Sequence, residues 1–244
     1  MSISTLLKSE IPQYSLTLPI TGKKVNYRPY LVKEEKILLL AMEQKREHDI
    51  LTGIKNLIEA CCDNLDAGNI PIVDLEYVFL NLRAKSVGET VEPVIVCPIT
   101  GKNVNLKFDI TEVRPTEINE NLKINITDTI GVTLKYPTLN ILMNKEKKEN
   151  STEMEELFDL ILLCIDEIWT QDEIHKTSDV AKEEITEFID SMTVDQFDNI
   201  LEFFKNLPKL RKEITYKVPL QEGDGDSEQL EHTVVMEGLM DFFG

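Results

Sequence analysis

The chain is short of positive charge. Of its 244 residues, 26 are Lys or Arg against 44 Asp or Glu, which leaves a formal net charge of −18. A surface of that sign repels phosphate backbones and anionic lipid, so direct nucleic-acid or membrane binding is disfavoured. It favours a soluble free state before any assembly, and plain solubility explains it equally well. Long apolar runs are missing too. The richest stretch, Leu157 to Trp169, is interrupted by Asp159, Asp166 and Glu167, too short and too charged to span a bilayer. The first 15 residues contain Lys8 and Glu10 and no continuous apolar run of signal-peptide length. The expectation is a cytosolic protein, in which the glycosylation patterns at Asn125 and Asn150 carry no meaning.

Cysteine and histidine are scarce, and neither is spaced for chemistry. Cys61, Cys62, Cys97 and Cys164 form no Cys-x-x-Cys, and His48, His175 and His232 show no ligand spacing. The adjacent pair Cys61–Cys62 suits neither an ordinary disulfide nor a zinc ribbon. Buried thiols are expected, because a free cysteine behaves as a small hydrophobe. No metal and no cofactor is implied.

Catalytic motifs are absent as well. The pairs Gly22-Lys23 and Gly101-Lys102 suggest a phosphate loop, but that motif needs a glycine five residues upstream and Ser or Thr downstream. Thr17 and Val96 stand upstream, and Lys24 and Asn103 follow. Asp224-Gly-Asp226 resembles the start of a calcium loop, yet the twelfth position, which needs a carboxylate, holds Val235. No serine lies in a nucleophile elbow. The chain reads as a non-enzyme; a site assembled in space from distant residues would leave no such mark.

What the chain has is a repeated phrase. Residues 19–26 read Pro-Ile-Thr-Gly-Lys-Lys-Val-Asn and residues 98–105 read Pro-Ile-Thr-Gly-Lys-Asn-Val-Asn, seven of eight identical at a spacing of 79. Each carries Thr-Gly where a reversal needs a residue tolerant of positive φ, between short apolar runs. The same β-hairpin used twice is expected; two turns converging on one solution is the alternative. The first hairpin pairs residues 14–20 with Val25–Tyr30, and Pro29 marks its second strand as an edge. The second pairs Val91–Val96 with an alternating run Val104, Leu106, Phe108, Ile110. A third pair, around Leu122–Ile126 and Val132–Tyr136, would complete a small antiparallel sheet.

Helical signals lie between and after these hairpins. A helix opens at Val32 with Glu34 and Glu35 in its first turn and runs through Lys45 and Arg46. A second covers about Asp49–Cys62 with an apolar stripe from Ile50 to Cys61. A third begins at Pro71, is apolar nearly all round, and ends in Arg83-Ala84-Lys85-Ser86 before Gly88. The capping box Thr152-x-x-Glu155 opens an apolar helix reaching about Trp169. An amphipathic helix follows through Val180, Ile185, Phe188 and Ile189. The box Thr193-x-x-Gln196 then opens a helix with Val194, Phe197, Ile200, Leu201 and Phe204 on one face. The end reads as a strand Ile214–Val218, an acidic loop from Glu222, a returning strand His232–Val235, and an apolar tail.

The expected class is therefore α+β, with antiparallel hairpins packed against a mainly helical body and no parallel sheet. A mixed region, 1–136, precedes a mainly helical region, 137–244, that closes with a hairpin, and the two can form one continuous domain. The tail residues Leu239, Met240, Phe242 and Phe243 are the sharpest binding candidates. Burying each fully is worth about 1.5–3 kcal/mol, so they must dock on the chain's own core or, as apolar peptides often do, in a partner's groove.

Three segments together carry a family resemblance: Leu18–Tyr30 continuing into Val32-Lys-Glu-Glu-Lys-Ile-Leu-Leu39, then Ile72–Phe79, then Leu82-Arg-Ala-Lys-Ser-Val-Gly-Glu89. The chain resembles the baseplate hub and hub-assembly proteins of T-even-type contractile-tailed bacteriophages, most strongly over residues 16–110. The resemblance implies a non-catalytic protein that builds the tail hub, as an assembly factor or as a permanent subunit. Its partners would be other phage tail and baseplate hub proteins, met in the host cytoplasm or kept in the virion baseplate. Arg28, Tyr30, Lys33, Glu34, Glu35, Arg83, Lys85 and Glu89 match the family pattern, in positions that suit a structural role better than partner contact.

Overall fold

The repeated turn folds twice into the same shape. In the computed structural model, which describes residues 10–43, 46–144, 152–219 and 229–242, strand β1 (Tyr14–Thr17) pairs with β2 (Lys24–Tyr27). Strand β4 (Val94–Val96) pairs in the same manner with β5 (Asn103–Asn105). Gly22 and Gly101 sit at φ 64° and 67°, where a side chain would be strained. The closing bonds also correspond. Leu18 N–H donates to Lys23 O at 2.9 Å and Cys97 N–H to Lys102 O at 2.8 Å. Gly22 and Gly101 N–H donate back to Leu18 and Cys97 O at 3.0 and 2.8 Å.

The remaining elements are α1 (Val32–Glu43), α2 (Glu47–Cys61), α3 (Ile72–Ser86), β3 (Thr90–Val91), β6 (Phe108–Asp109), β7 (Arg114–Pro115), β8 (Lys123–Asn125), β9 (Ile130–Leu134), α4 (Leu139–Asn144), α5 (Glu153–Cys164), β10 (Ile165–Thr170), β11 (Ile174–Lys176), α6 (Lys182–Asp190), α7 (Val194–Lys205), β12 (Leu210–Pro219), β13 (Gln229–Glu237) and α8 (Gly238–Asp241). Every described ladder is antiparallel, so the chain is α+β.

The contacts separate into two compact units. The first takes Met1–Ala67, Val73–Thr116 and Lys209–Gly244; the second takes Gly68–Ile72 and Glu117–Pro208. In the first unit α3 is the buried helix, with Val73, Leu75, Val78, Phe79, Leu80, Leu82 and Ala84 all inside. Its core joins Val73, Leu80 and Ala84 to Val91, Leu106, Phe108 and Ile110 of the second hairpin and to Leu210, Met236 and Phe242 from the C-terminal region. The long pair β12–β13 lies alongside β7. The acidic loop that joins β12 and β13 lies outside the described residues.

The second unit holds a four-stranded sheet in the order β11-β10-β9-β8. The hairpins therefore do not form one small sheet: the two repeated ones stand as separate two-stranded ladders, and only the third, β8–β9, is extended. Its partner is the expected helix reaching Trp169, which ends at Cys164, after which the chain turns into strand β10. Ile165, Ile168 and Trp169 suit a strand, and β9 supplies the ladder, pairing Ile168 with Val132 and Trp169 with Gly131. The Trp169 ring occupies the space a Cβ on Gly131 would need. Both expected capping boxes form, Thr152 with Glu155 and Thr193 with Gln196. The helix expected through Arg46 is described over Val32–Glu43, and Arg46 itself is extended and stands at the N-cap of α2.

Candidate functional site: the two turns and the faces beside them

The family-pattern residues gather around the start of α1 and the end of α3. Arg28 follows β2 and reaches α1, α2 and its own neighbour Pro29. Its Nη2 donates to Glu34 Oε1 at 3.0 Å and to Ala60 O at 2.9 Å, and its Nη1 to Pro29 O at 3.0 Å. Glu34 is buried and also accepts from Leu31 N–H at 2.7 Å and lies 3.1 Å from Lys33 Nζ. Burial pushes the Glu34 carboxyl up, but Arg28, the Leu31 amide and Lys33 outweigh it and hold it below the ordinary value. Tyr30 N–H donates to Ser86 Oγ at 2.9 Å, tying this corner to α3. Burial, with Glu35 nearby, pushes the Tyr30 phenol up to about 12, against the opposing pull of Arg83. Arg83 Nη1 is buried and has no hydrogen-bond partner among the described residues. Lys85 bonds Glu89 at 2.6 Å and lies 5.6 Å from the Tyr14 ring centre.

A residue that the sequence reading passed over organises the first turn. Asp74, third in α3, is fully buried. Its Oδ1 accepts from Ile20 N–H at 2.7 Å; its Oδ2 accepts from Thr21 N–H at 3.0 Å and from the Thr21 hydroxyl at 2.8 Å. Burial raises its pKa, and these three donors oppose the rise without cancelling it. One signal was available: an acid in the first turn of a helix whose faces are mostly apolar.

The second turn repeats the donors but not the acid. At the place of Ile20 and Thr21 stand Ile99 and Thr100, and among the described residues no carboxylate bonds to them. Cys97, at the place of Leu18, is fully buried beneath the turn. The hydroxyl of Thr100, then that of Tyr216, then the amides of Thr100 and Ile99 pull its thiol down to about 7, against burial. The other three cysteines are buried free thiols pushed up to about 11 or 12, chiefly by burial.

Two apolar faces are open. On α1, Val32, Ile37, Leu39 and Leu40 are 78%, 55%, 54% and 48% exposed, because only Glu34 and Leu38 of that helix turn fully inward. On the second hairpin, Val94, Val96 and Ile99 are 59%, 65% and 47% exposed. The tail candidates divide. Phe242 is buried in this chain's own core, edge-on to Phe108 with ring centres 6.1 Å apart. Leu239 and Met240 lie in α8, of which only the backbone is described at those positions, and Phe243 lies outside the described residues. Among the described residues no cluster of His, Cys, Asp or Glu could hold a metal ion, and no helix is long and apolar enough to cross a membrane. A water-sized recess lined by Tyr77, Leu80, Asn81, Ile110, Thr111 and Val113 offers no group placed for a reaction.

No curated protein and no solved structure matches the chain. Residues 11–244 match the family model described as T4 bacteriophage base plate protein, and the chain belongs to that family.

Proposed function

We propose that this chain is a non-catalytic assembly factor for the hub of the phage tail baseplate, a protein that binds hub components while they come together. Membership of the baseplate family gives it a structural or assembly role in the tail, among other tail and baseplate proteins. The observation that supports the finer reading is the open apolar face of α1 on a chain of net charge −18. Large exposed apolar groups in one place mark interaction surfaces, and strong net charge keeps a chain that bears them soluble while unbound. In this reading Arg28, Tyr30, Glu34, Arg83, Lys85 and Glu89 hold the corner that presents α1. Lys33 and Glu35 serve its first turn, and the partner is met in the host cytoplasm.

Quantitative mass spectrometry of purified mature particles beside purified hub intermediates tests it. Presence in the intermediates and loss from the mature particle is the expected result. Stoichiometric presence in the mature particle would make the chain a permanent hub subunit instead, and absence from both would remove the hub reading.

A further inference from the structure

The arm formed by β12 and β13 is the exception among the described sheet edges. The other edge strands, β1 to β8 and β11, run two to four residues, and brevity of that kind protects an edge from pairing further. Strand β13 runs nine residues, Gln229–Glu237, pairs with β12 in an unbroken register, and has no ladder on its other side. Strand β12 is guarded: β7 pairs with its base, and Lys217 and Pro219 stand toward its tip. Residues of those two types discourage a further strand. β13 contains no Lys, no Pro and no bulge.

The register fixes which groups the open edge presents. Hydrogen-bonded and non-hydrogen-bonded pairs alternate along an antiparallel ladder. The Lys209 carbonyl, just before β12, accepts from Thr116 N–H at 2.9 Å on the β7 side, so the odd-numbered residues of β12 turn their backbone away from β13. Their partners Glu231, Thr233, Val235 and Glu237 turn theirs away from β12. Glu237 agrees, because its N–H leaves the ladder for Asp241 Oδ2 at 2.8 Å. Among the described residues nothing on the outer side bonds the backbone of Glu231, Thr233 or Val235, and their side chains are exposed. Three N–H and three C=O groups in a row at strand spacing match an extended chain; a helix has already spent its own on itself.

We infer that the free edge of β13 receives an extended segment of another baseplate protein, one that carries Lys or Arg, as a further strand of this sheet. Charge selects that occupant. The only full charges on β13 are Glu231 and Glu237, and Glu222, Asp224, Asp226 and Glu228 precede the strand in sequence. A second copy would bring the same acids on a chain of net charge −18, which opposes self-pairing. The chain's own β12 is the template: it sets Lys217 across from Glu231, 3.4 Å apart, and Arg211 across from Glu237. A carboxylate has two oxygens and about four acceptor sites, so Glu231 can take a second cation from the open side. The inference rests on the reading of this chain as a protein-binding component and holds for an assembly factor and a permanent subunit alike.

The probe is a synthetic peptide of residues 210–218, the β12 sequence, added to the isotope-labelled full chain and followed by amide hydrogen exchange. Without peptide, Glu231, Thr233 and Val235 should exchange fast and His232, Val234 and Met236, held by β12, slowly. Saturating peptide should slow the first three at least about tenfold and leave the others unchanged. The same peptide with Arg211→Glu, Lys212→Glu and Lys217→Glu should give no slowing. Val235→Pro in the full chain removes an outward N–H without taking a bond from β12 and should weaken peptide binding about tenfold. Should that variant lose the native amide spectrum, Val235→Lys, a guard on an exposed position, makes the same test. No slowing at the three amides, equal slowing by the charge-reversed peptide, or undiminished binding to the folded variant overturns the inference. Altered exchange at His232 and Val234 would mean that the peptide displaces β12, and overturns it too. Slowing that rises with the concentration of the chain alone would make a second copy the occupant and overturn the heterologous partner. In phage, the Val235→Lys chain should fall at least about tenfold in hub intermediates. Undiminished retention overturns the inference, whereas absence of the wild-type chain from those intermediates overturns the assembly reading and leaves the peptide result to judge the edge.

Discussion

Two hairpins of nearly identical turn sequence meet opposite fates in this molecule. The first is enclosed: its turn is held by Asp74, its strand end by Arg28, and Leu18, Val25 and Tyr27 are buried. The second is anchored along one face only, through Ile95, Val104 and Leu106, and leaves the other in solvent. The position that follows the ladder makes the contrast plain. Arg28 pairs with buried Glu34 at 3.0 Å; Lys107, 79 residues later, pairs with Glu92 at 2.7 Å with side chains 72% and 62% exposed. The lesson is that a turn motif carries a conformation and a set of donors, while its energetic weight comes from what the rest of the chain brings to it.

The largest expected difference follows from that pair. Arg28→Ala strips a buried carboxylate of its main partner and the ends of β2 and α2 of a tie, and should cost about 3 kcal/mol in denaturant unfolding. Lys107→Ala removes an exposed pair and should cost at most about 0.5 kcal/mol. Similar values for the two would break the comparison.

A somewhat smaller effect is expected at the first turn. Asp74→Ala leaves the Ile20 and Thr21 amides and the Thr21 hydroxyl without their acceptor, at about 2 kcal/mol. Loss of amide hydrogen-exchange protection should concentrate at Ile20 and Thr21 and leave Ile99 and Thr100 unchanged. Equal loss at both turns would mean the carboxylate does not act locally.

The smallest effect concerns the acid beneath the second turn. Cys97 ionises near 7 in the folded chain against 9.0 unperturbed. A depressed folded pKa makes stability rise with pH through that window: the contribution is absent below about 7, grows between 7 and 9, and is complete above. An ultraviolet thiolate titration of the native protein should show one step near pH 7 that Cys97→Ala abolishes. The other three thiols, pushed up by burial, should ionise far above it.

Much of the fold was legible because it is local. Thr152 and Thr193 announced their helices through bonds that span three residues, and Gly22 and Gly101 announced their turns. The stretch after Cys164 was not legible in the same way. Ile165–Trp169 continues an apolar helix as readily as it forms a strand, and the choice depends on β9, about 35 residues earlier in the chain. The candidate site was half legible. The repeated donors were in view from the start, but Asp74 lies 53 residues from Thr21, and nothing in either stretch names the other. The tail was read as a set of apolar anchors; Phe242 finds Phe108, far back in the chain, and α8 with β12–β13 joins the first unit although its sequence comes last.

By itself the sequence determined the α+β class, the two identical turns, the helix starts, the buried thiols and the resemblance to phage baseplate proteins, since each depends on backbone sterics, capping or composition within a few residues. Only the tertiary structure decided which of the two turns would receive a carboxylate, where α5 would give way to β10, and which apolar groups would stay in solvent. Those outcomes turn on which distant segment arrives as a neighbour, and a buried acid or an open valine has its meaning only once that neighbour is in place.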